Sequence, residues 1–133
     1  MAKILIAEDE RDIRDLIAFT LRFAGYEVVA VGNGAEAVDA APIEMPDLIL
    51  MDVRMPGVDG LEATRVIRAT STVNRATPIL ALTADVQAEA ATACRAAGMD
   101  DVLAKPIVPR DLLAKILKWG QPVEAVEQAR RMA

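Results

Sequence analysis

Asp47-Leu-Ile-Leu-Met-Asp52 decides the fold. Its apolar run is continuous rather than alternating, the pattern of a strand covered on both faces, and it stops abruptly on a carboxylate. Working outward, Lys3-Ile-Leu-Ile-Ala7 repeats the pattern and stops at Glu8-Asp9-Glu10. Glu27 to Val31, Pro78-Ile-Leu-Ala-Leu82 and Asp101 to Ala104 supply three more strand candidates. Pro78 stands at a strand start, where a missing N–H is tolerated. Helix-period segments separate the strands. Ile13, Leu16, Ile17, Thr20, Leu21 and Ala24 follow the spacing of one helical face, and Gly25 stands where a left-handed C-terminal cap belongs. Asn33 caps a short helix over Gly34 to Ala41, which Pro42 is expected to stop. A third segment runs from about Gly60 to Ala69. Asp85 is expected to cap an Ala-rich helix ending at Ala97-Gly98, and Pro109 opens a last helix with Leu112, Leu113, Ile116 and Leu117 inward. Five strands alternating with five helices imply a mostly parallel sheet covered on both faces, a three-layer α/β domain. Residues 1–120 make that domain and 121–133 a polar tail.

Composition narrows the chemistry. The chain has 133 residues with 15 Lys+Arg against 20 Asp+Glu, a net charge of −5, and is 53% hydrophobic. An acidic chain without a long basic run is a poor match to nucleic acid, where binding rests on neutralising phosphates. No apolar stretch reaches the ~18 residues of a membrane span, and the N-terminal apolar run is too short for a signal peptide. A single cysteine, Cys94, makes no internal disulfide and fits a reducing, cytoplasmic setting. With no histidine, triad catalysis and imidazole-ligated zinc are excluded. What remains is carboxylates, hydroxyls and lysine.

In parallel α/β sheets, ligands gather beyond the carboxyl ends of the strands. There this sequence places Glu8 and Asp9, Asp52, Thr83 and Lys105. Three carboxylates brought together repel one another, so one takes a proton or the group holds a cation; oxygen-only ligands suit Mg²⁺. A lysine and a hydroxyl beside them complete a seat for a tetrahedral dianion built on a carboxylate, with Asp52 as nucleophile because it ends the central strand. Taken singly, each residue has a plainer reading: Glu8-Asp9 as acids favourable at a helix start, Thr83 as a cap, Lys105 as a solvated loop lysine. Four coincidences at strand ends outweigh those readings. Cys94 reads as a small core residue, Met45, Met51, Met55 and Met99 as packing, and Arg130-Arg131 as solvated.

The sequence resembles a response-regulator receiver domain over residues 3 to about 118. The resemblance lies in Glu8-Asp9, Asp47 to Asp52 followed by Met55-Pro-Gly-Val-Asp-Gly60, Pro78 to Ala84, and Gly98 to Pro106, in that order. It implies the flavodoxin-like (βα)5 fold with strand order 2-1-3-4-5. It further implies a phosphorelay receiver in which Asp52 accepts a phosphoryl group from a histidine kinase or histidine phosphotransfer protein. Glu8, Asp9, Asp52 and the main-chain carbonyl of Arg54 would hold Mg²⁺. Thr83 would bond a phosphoryl oxygen, Ala84 would leave that approach open, Lys105 would pair with the phosphate, and the Lys105–Pro106 peptide would be cis. Output would be a phosphorylation-dependent protein contact, homodimerisation included, on the face formed by the fourth helix, fifth strand and fifth helix. Such a domain is not an enzyme on external substrates. Met1 just before the first strand, and no effector domain behind the tail, favour a free-standing receiver.

One position departs from the pattern. Receivers usually carry an aromatic switch residue three places before the lysine, coupled to the threonine; here it is Val102. This keeps a second reading open, a degenerate or phosphate-sink receiver acting as a binding module. A phosphohydrolase of the haloacid-dehalogenase type fits poorly, because its second aspartate, two places after the nucleophile, is Arg54 here.

Overall fold

The computed structural model describes residues 2–85 and 87–119. The elements alternate throughout: β1 (Lys3–Ala7), α1 (Arg11–Phe23), β2 (Glu27–Val31), α2 (Gly34–Glu44), β3 (Leu48–Asp52), α3 (Gly60–Thr70), β4 (Ile79–Thr83), α4 (Ala88–Ala97), β5 (Asp101–Ala104) and α5 (Pro109–Trp119). All strand pairs are parallel, in the order β2-β1-β3-β4-β5. The register pairs Ala7 with Met51, Asp52 with Leu82 and Thr83 with Ala104, so the strands release their chemistry-bearing residues along one edge. The tail, 121–133, lies outside the described residues.

Period-2 alternation splits the core into two layers. Leu48 and Leu50 of β3 pack with Ile4, Ile6, Leu80 and Leu82 under α1 and α5. Ile49 and Met51 point the other way, packing with Leu5, Ile79 and Ala81 under α2, α3 and α4. β3 and β4 are therefore buried at every position, which is why their sequences do not alternate.

Local signals explain most boundaries. Asn33 Oδ1 accepts from Glu36 N–H at 2.8 Å and Asp59 Oδ1 from Glu62 N–H at 2.8 Å, capping α2 and α3. Gly25 has φ 99°, as the cap reading requires. Gly60 starts α3 so close under β3 that a Cβ there would overlap the Asp52 carbonyl. Cys94 is buried, and burial raises its thiol pKa.

Four expectations need correction. Pro42 does not stop α2, which continues to Glu44. Only two residues follow it, so the missing N–H removes one bond in the closing turn, and Met45, at φ 49°, ends the helix by donating to Ala41 O. Met45 is accordingly exposed rather than packed. Asp85 does not cap α4; its Oδ1 accepts from Gln87 N–H at 3.0 Å, a turn that precedes a helix beginning at Ala88. The buried stripes are also narrower than the apolar patterns. Ile17, Ala18 and Leu21 face inward on α1 while Leu16 is exposed, and Leu112 and Ile116 face inward on α5 while Leu117 is exposed. Neighbouring residues differ by ~100° around a helix, so Leu16 and Leu117 leave the face that Ile17 and Ile116 occupy.

At the edge opposite the site, one arginine ties several loops together. Arg68 donates to the carbonyls of Gly98, Asn74, Arg75 and Thr77 at 2.7–3.1 Å and to Asp100 Oδ2 at 3.0 Å. Asp100 Oδ2 also accepts from Ile79 N–H at the start of β4. Arg68→Ala should cost about 2–4 kcal/mol in urea denaturation, because part-buried acceptors lose a charged donor together. A cost below about 1 kcal/mol would show that water replaces the guanidinium freely.

Candidate functional site

Glu8 leaves β1 fully buried, its N–H donating to Val31 O at 3.2 Å and its Oε2 accepting from Glu10 N–H. Asp9, next to it, is exposed, and Asp52 closes β3 almost fully buried. A carboxylate oxygen of each lies within 4.8 Å of one of the other two. Lys105, beyond β5, reaches back into this group, its Nζ 2.8 Å from Glu8 Oε1 and 3.3 Å from Asp52 Oδ1. Its backbone N–H donates to Thr83 O at 2.9 Å, so β4 and Lys105 are positioned together. The Lys105–Pro106 peptide is cis.

Above Asp52 opens a cleft of about 450 Å³, lined among others by Asp9, Asp52, Thr83, Ala84 and Lys105. Thr83 Oγ1 accepts from Asp85 N–H at 3.0 Å, which leaves its own proton available to a ligand oxygen. Asp9, Asp52, Thr83 and Lys105 therefore meet at one mouth, with Glu8 buried beneath it against Lys105. Arg54 takes part through its backbone, its N–H approaching Asp52 Oδ1 at 3.4 Å, a weak bond at best.

Charge crowding sets the electrostatics. Asp52 is pushed up to about 7, first by burial and then by hydrogen bonding to and repulsion from Glu8, against the pull of Lys105. Asp9 moves the other way: burial would raise it, but hydrogen bonding to Glu8 and Asp52 holds it below the usual carboxylate range. Burial alone would lower Lys105, yet its close ion pair with Glu8 and the charge of Asp52 raise it.

The donor set fits a hard divalent cation. Three carboxylates face a single ammonium, and the buried Glu8 Oε1 has no hydrogen-bond donor, its approach to Lys105 being an ion pair outside hydrogen-bond geometry. An oxygen-only set on one side of an open cleft, with room for waters, suits Mg²⁺ better than a transition metal.

One residue of the site escaped sequence reading. Arg14 on α1 donates through Nη1 to Glu8 O at 3.0 Å, and a Cβ at Gly32 would lie 3.1 Å from that nitrogen. The arginine thus braces the acidic pair against the loop after β2. Nothing in its sequence neighbourhood distinguishes it from a solvated helix arginine. Val102 is half-buried beside the α2–α4 layer, and the surface between α4 and α5 holds a groove of about 560 Å³ lined by Ala91, Val102, Ala104 and Ala114.

Comparison with known proteins adds the family. The profile described as the response regulator receiver domain matches residues 4–117. The chain belongs to the response-regulator receiver family. It is 43% identical over 119 residues to the sensor protein GacS of Pseudomonas syringae pv. syringae, covering 88% of this chain but 13% of GacS. Among solved structures, the chemotaxis protein CheY4 of Vibrio cholerae superposes with TM-score 0.86 at 36% identity, covering 90% of this chain and 98% of that one. The receiver domain of sensor histidine kinase PA1611 from Pseudomonas aeruginosa PAO1 gives TM-score 0.82 at 41% identity, covering 89% and 96%. That structure has a magnesium ion coordinated in its active-site cleft. This receiver shares their flavodoxin-like fold, its own strands in the order 2-1-3-4-5.

Proposed function

We infer that this receiver is the phosphoacceptor of a two-component phosphorelay and that Asp52 takes the phosphoryl group. The observation that carries the reading is Asp52 itself: a carboxylate at the end of the central strand, at the floor of an open cleft, 3.3 Å from a lysine. In the transfer, an Asp52 carboxylate oxygen attacks phosphorus, the P–N bond to the donor's imidazole breaks, and the departing nitrogen keeps the electron pair. Lys105 and Thr83 are placed to meet the equatorial oxygens, where charge accumulates in a loose transition state. Glu8, Asp9, Asp52 and the Arg54 carbonyl are the groups that would hold Mg²⁺. The cation, when bound, neutralises charge on the incoming phosphoryl group.

The domain acts on its own side chain rather than on a separate substrate, so it is proposed to be a signalling partner and not an enzyme. Its donor is a histidine kinase or histidine phosphotransfer protein, and its place is the cytoplasm. Among the described residues no helix is long and apolar enough to cross a membrane. Incubation with a phosphohistidine-bearing donor and Mg²⁺ tests the reading. Phosphoryl transfer to the wild type, and none to Asp52→Asn, is expected; equal transfer to both would overturn it.

Output is proposed to run through α4, β5 and α5 to a downstream protein or a second copy. Val102 is β-branched and too short to swing across the groove as an aromatic ring would. Signal must then pass as backbone displacement around Ala84-Asp85 and Ile107-Val108, a coupling of order 1–3 kcal/mol. Amide shifts measured with and without a phosphoryl mimic should change in residues 84–90 and 102–110. Changes confined to the cleft would instead support the degenerate or phosphate-sink reading that Val102 raises.

A further inference from the structure

Of the arginines on α1, Arg11 pairs with Asp15 and Arg22 reaches Val28 O, while Arg14 turns to the acidic loop. Arg14 is half-buried, and its Nη1 donates to Glu8 O at 3.0 Å. Among the described residues it forms no ion pair, although Glu8, Asp9 and Glu10 all stand a few places before it. Its guanidinium serves a main-chain carbonyl rather than a carboxylate.

That carbonyl belongs to the Glu8–Asp9 peptide. A peptide unit is planar, so holding its oxygen also holds the direction in which the chain enters the Asp9 Cα. On the far side of Asp9, Glu10 N–H donates to Glu8 Oε2 at 3.3 Å, and Glu10 O accepts from Arg14 N–H at 2.9 Å. Both peptide planes that flank the Asp9 Cα are thus held, and the direction of its Cβ with them. Glu8 is fixed independently by burial and by its bond to Val31 O. Asp9 is the exposed member of the three acids, so its carboxylate is placed by the main chain rather than by packing.

The loop after β2 leaves room for this arrangement. Beyond its chain neighbours, the atoms that a Cβ at Gly32 would meet are Arg14 Nη1, at 3.1 Å, and Arg14 Cζ, at 4.0 Å. The φ of Gly32 lies outside the left-handed region, so its backbone does not require glycine; the space taken by the guanidinium does.

We propose that Arg14, with Gly32 kept clear for it, is a positioning residue for the divalent-cation site, aiming the Asp9 carboxylate through the Glu8–Asp9 peptide. The inference rests on the reading of Glu8, Asp9 and Asp52 as that site. Charge and position act in opposite directions here, which makes the role measurable. A guanidinium this near the acids repels a cation, so on charge alone its loss tightens binding. Loss of a group that orients a metal ligand weakens binding, typically by about tenfold or more.

Mg²⁺ titrations of the full chain, followed by amide resonances, separate the two effects. Arg14→Ala should weaken Mg²⁺ binding about tenfold. In the metal-free variant, amide exchange at Asp9 and Glu10 should quicken while the resonances of β3 and β4 stay in place. Gly32→Val keeps every charge and displaces the guanidinium, so it should weaken Mg²⁺ in the same direction, about threefold. Arg11→Ala removes a similar charge whose partner is Asp15 on its own helix, and it should leave the affinity unchanged or tighter. Affinity unchanged or tightened in Arg14→Ala or Gly32→Val, or weakened as much by Arg11→Ala, would overturn the proposal and leave the cation site of the wild type standing. No Mg²⁺ binding by the wild type would overturn the site and the proposal together.

Discussion

Exchanging Asp52 for asparagine should make the metal-free protein more stable at pH 8, by about 1–3 kcal/mol in urea denaturation. Asp52 sits at about 7 in the folded protein, well above an ordinary carboxyl near 3.8. Folding therefore takes up protons between those values. The stability of the wild type is fully present below the unfolded pKa and is lost as pH rises through the folded one. Asparagine keeps the size and cannot ionise, so the gap between variant and wild type should open across roughly pH 4–7 and stay constant above. The pull of Lys105 offsets part of the repulsion, which is why the expected figure is smaller than the whole shift converts to. Saturating Mg²⁺ should reverse the order, since a cation at ~100 times its Kd adds about 2.7 kcal/mol to the protein that binds it. A gap that is absent at pH 8 in the presence of a chelator would contradict a crowded carboxylate group.

Lys105→Ala should act in the opposite direction and cost about 2–4 kcal/mol at pH 8 without metal. Its ammonium is the cation the structure places among Glu8, Asp9 and Asp52, and removing it leaves the buried Glu8 carboxylate without a counter-charge. The cost should shrink toward pH 5, where Asp52 takes a proton, and the wild-type contribution should also fade above the raised pKa of the lysine itself. Because the two side chains touch, the effects should not add. Asp52→Asn/Lys105→Ala is expected to be less destabilised than the sum of the single changes implies. Additivity within about 0.5 kcal/mol would mean that Lys105 and Asp52 do not interact in solution.

How much of this was legible in the sequence follows from how local each signal is. Leu48 to Asp52 announces a fully buried strand because both faces are covered, and strand ends in a parallel sheet fall on one edge, so Glu8, Asp9, Asp52, Thr83 and Lys105 were legible together. Gly25 and Asn33 were legible because a cap is decided within four residues. Pro42 misled because the penalty of proline depends on how much helix follows it, which its own neighbourhood does not encode. Leu16 and Leu117 misled because an apolar pattern marks a broad stripe, whereas the packed neighbours choose its centre. Arg14 and Arg68 were silent for another reason. Arg14's partner and all of Arg68's but Asp100 are backbone carbonyls, which every residue carries, so no pattern of side chains records those bonds.

The most direct test of the account is to phosphorylate the full chain with a small acyl-phosphate donor and Mg²⁺, trap the product by borohydride reduction, and map it by peptide mass spectrometry. The account predicts a single modified residue, Asp52, and no modification when Mg²⁺ is chelated. A phosphoryl group found on any other residue, or the same yield at Asp52 without the metal, would contradict it.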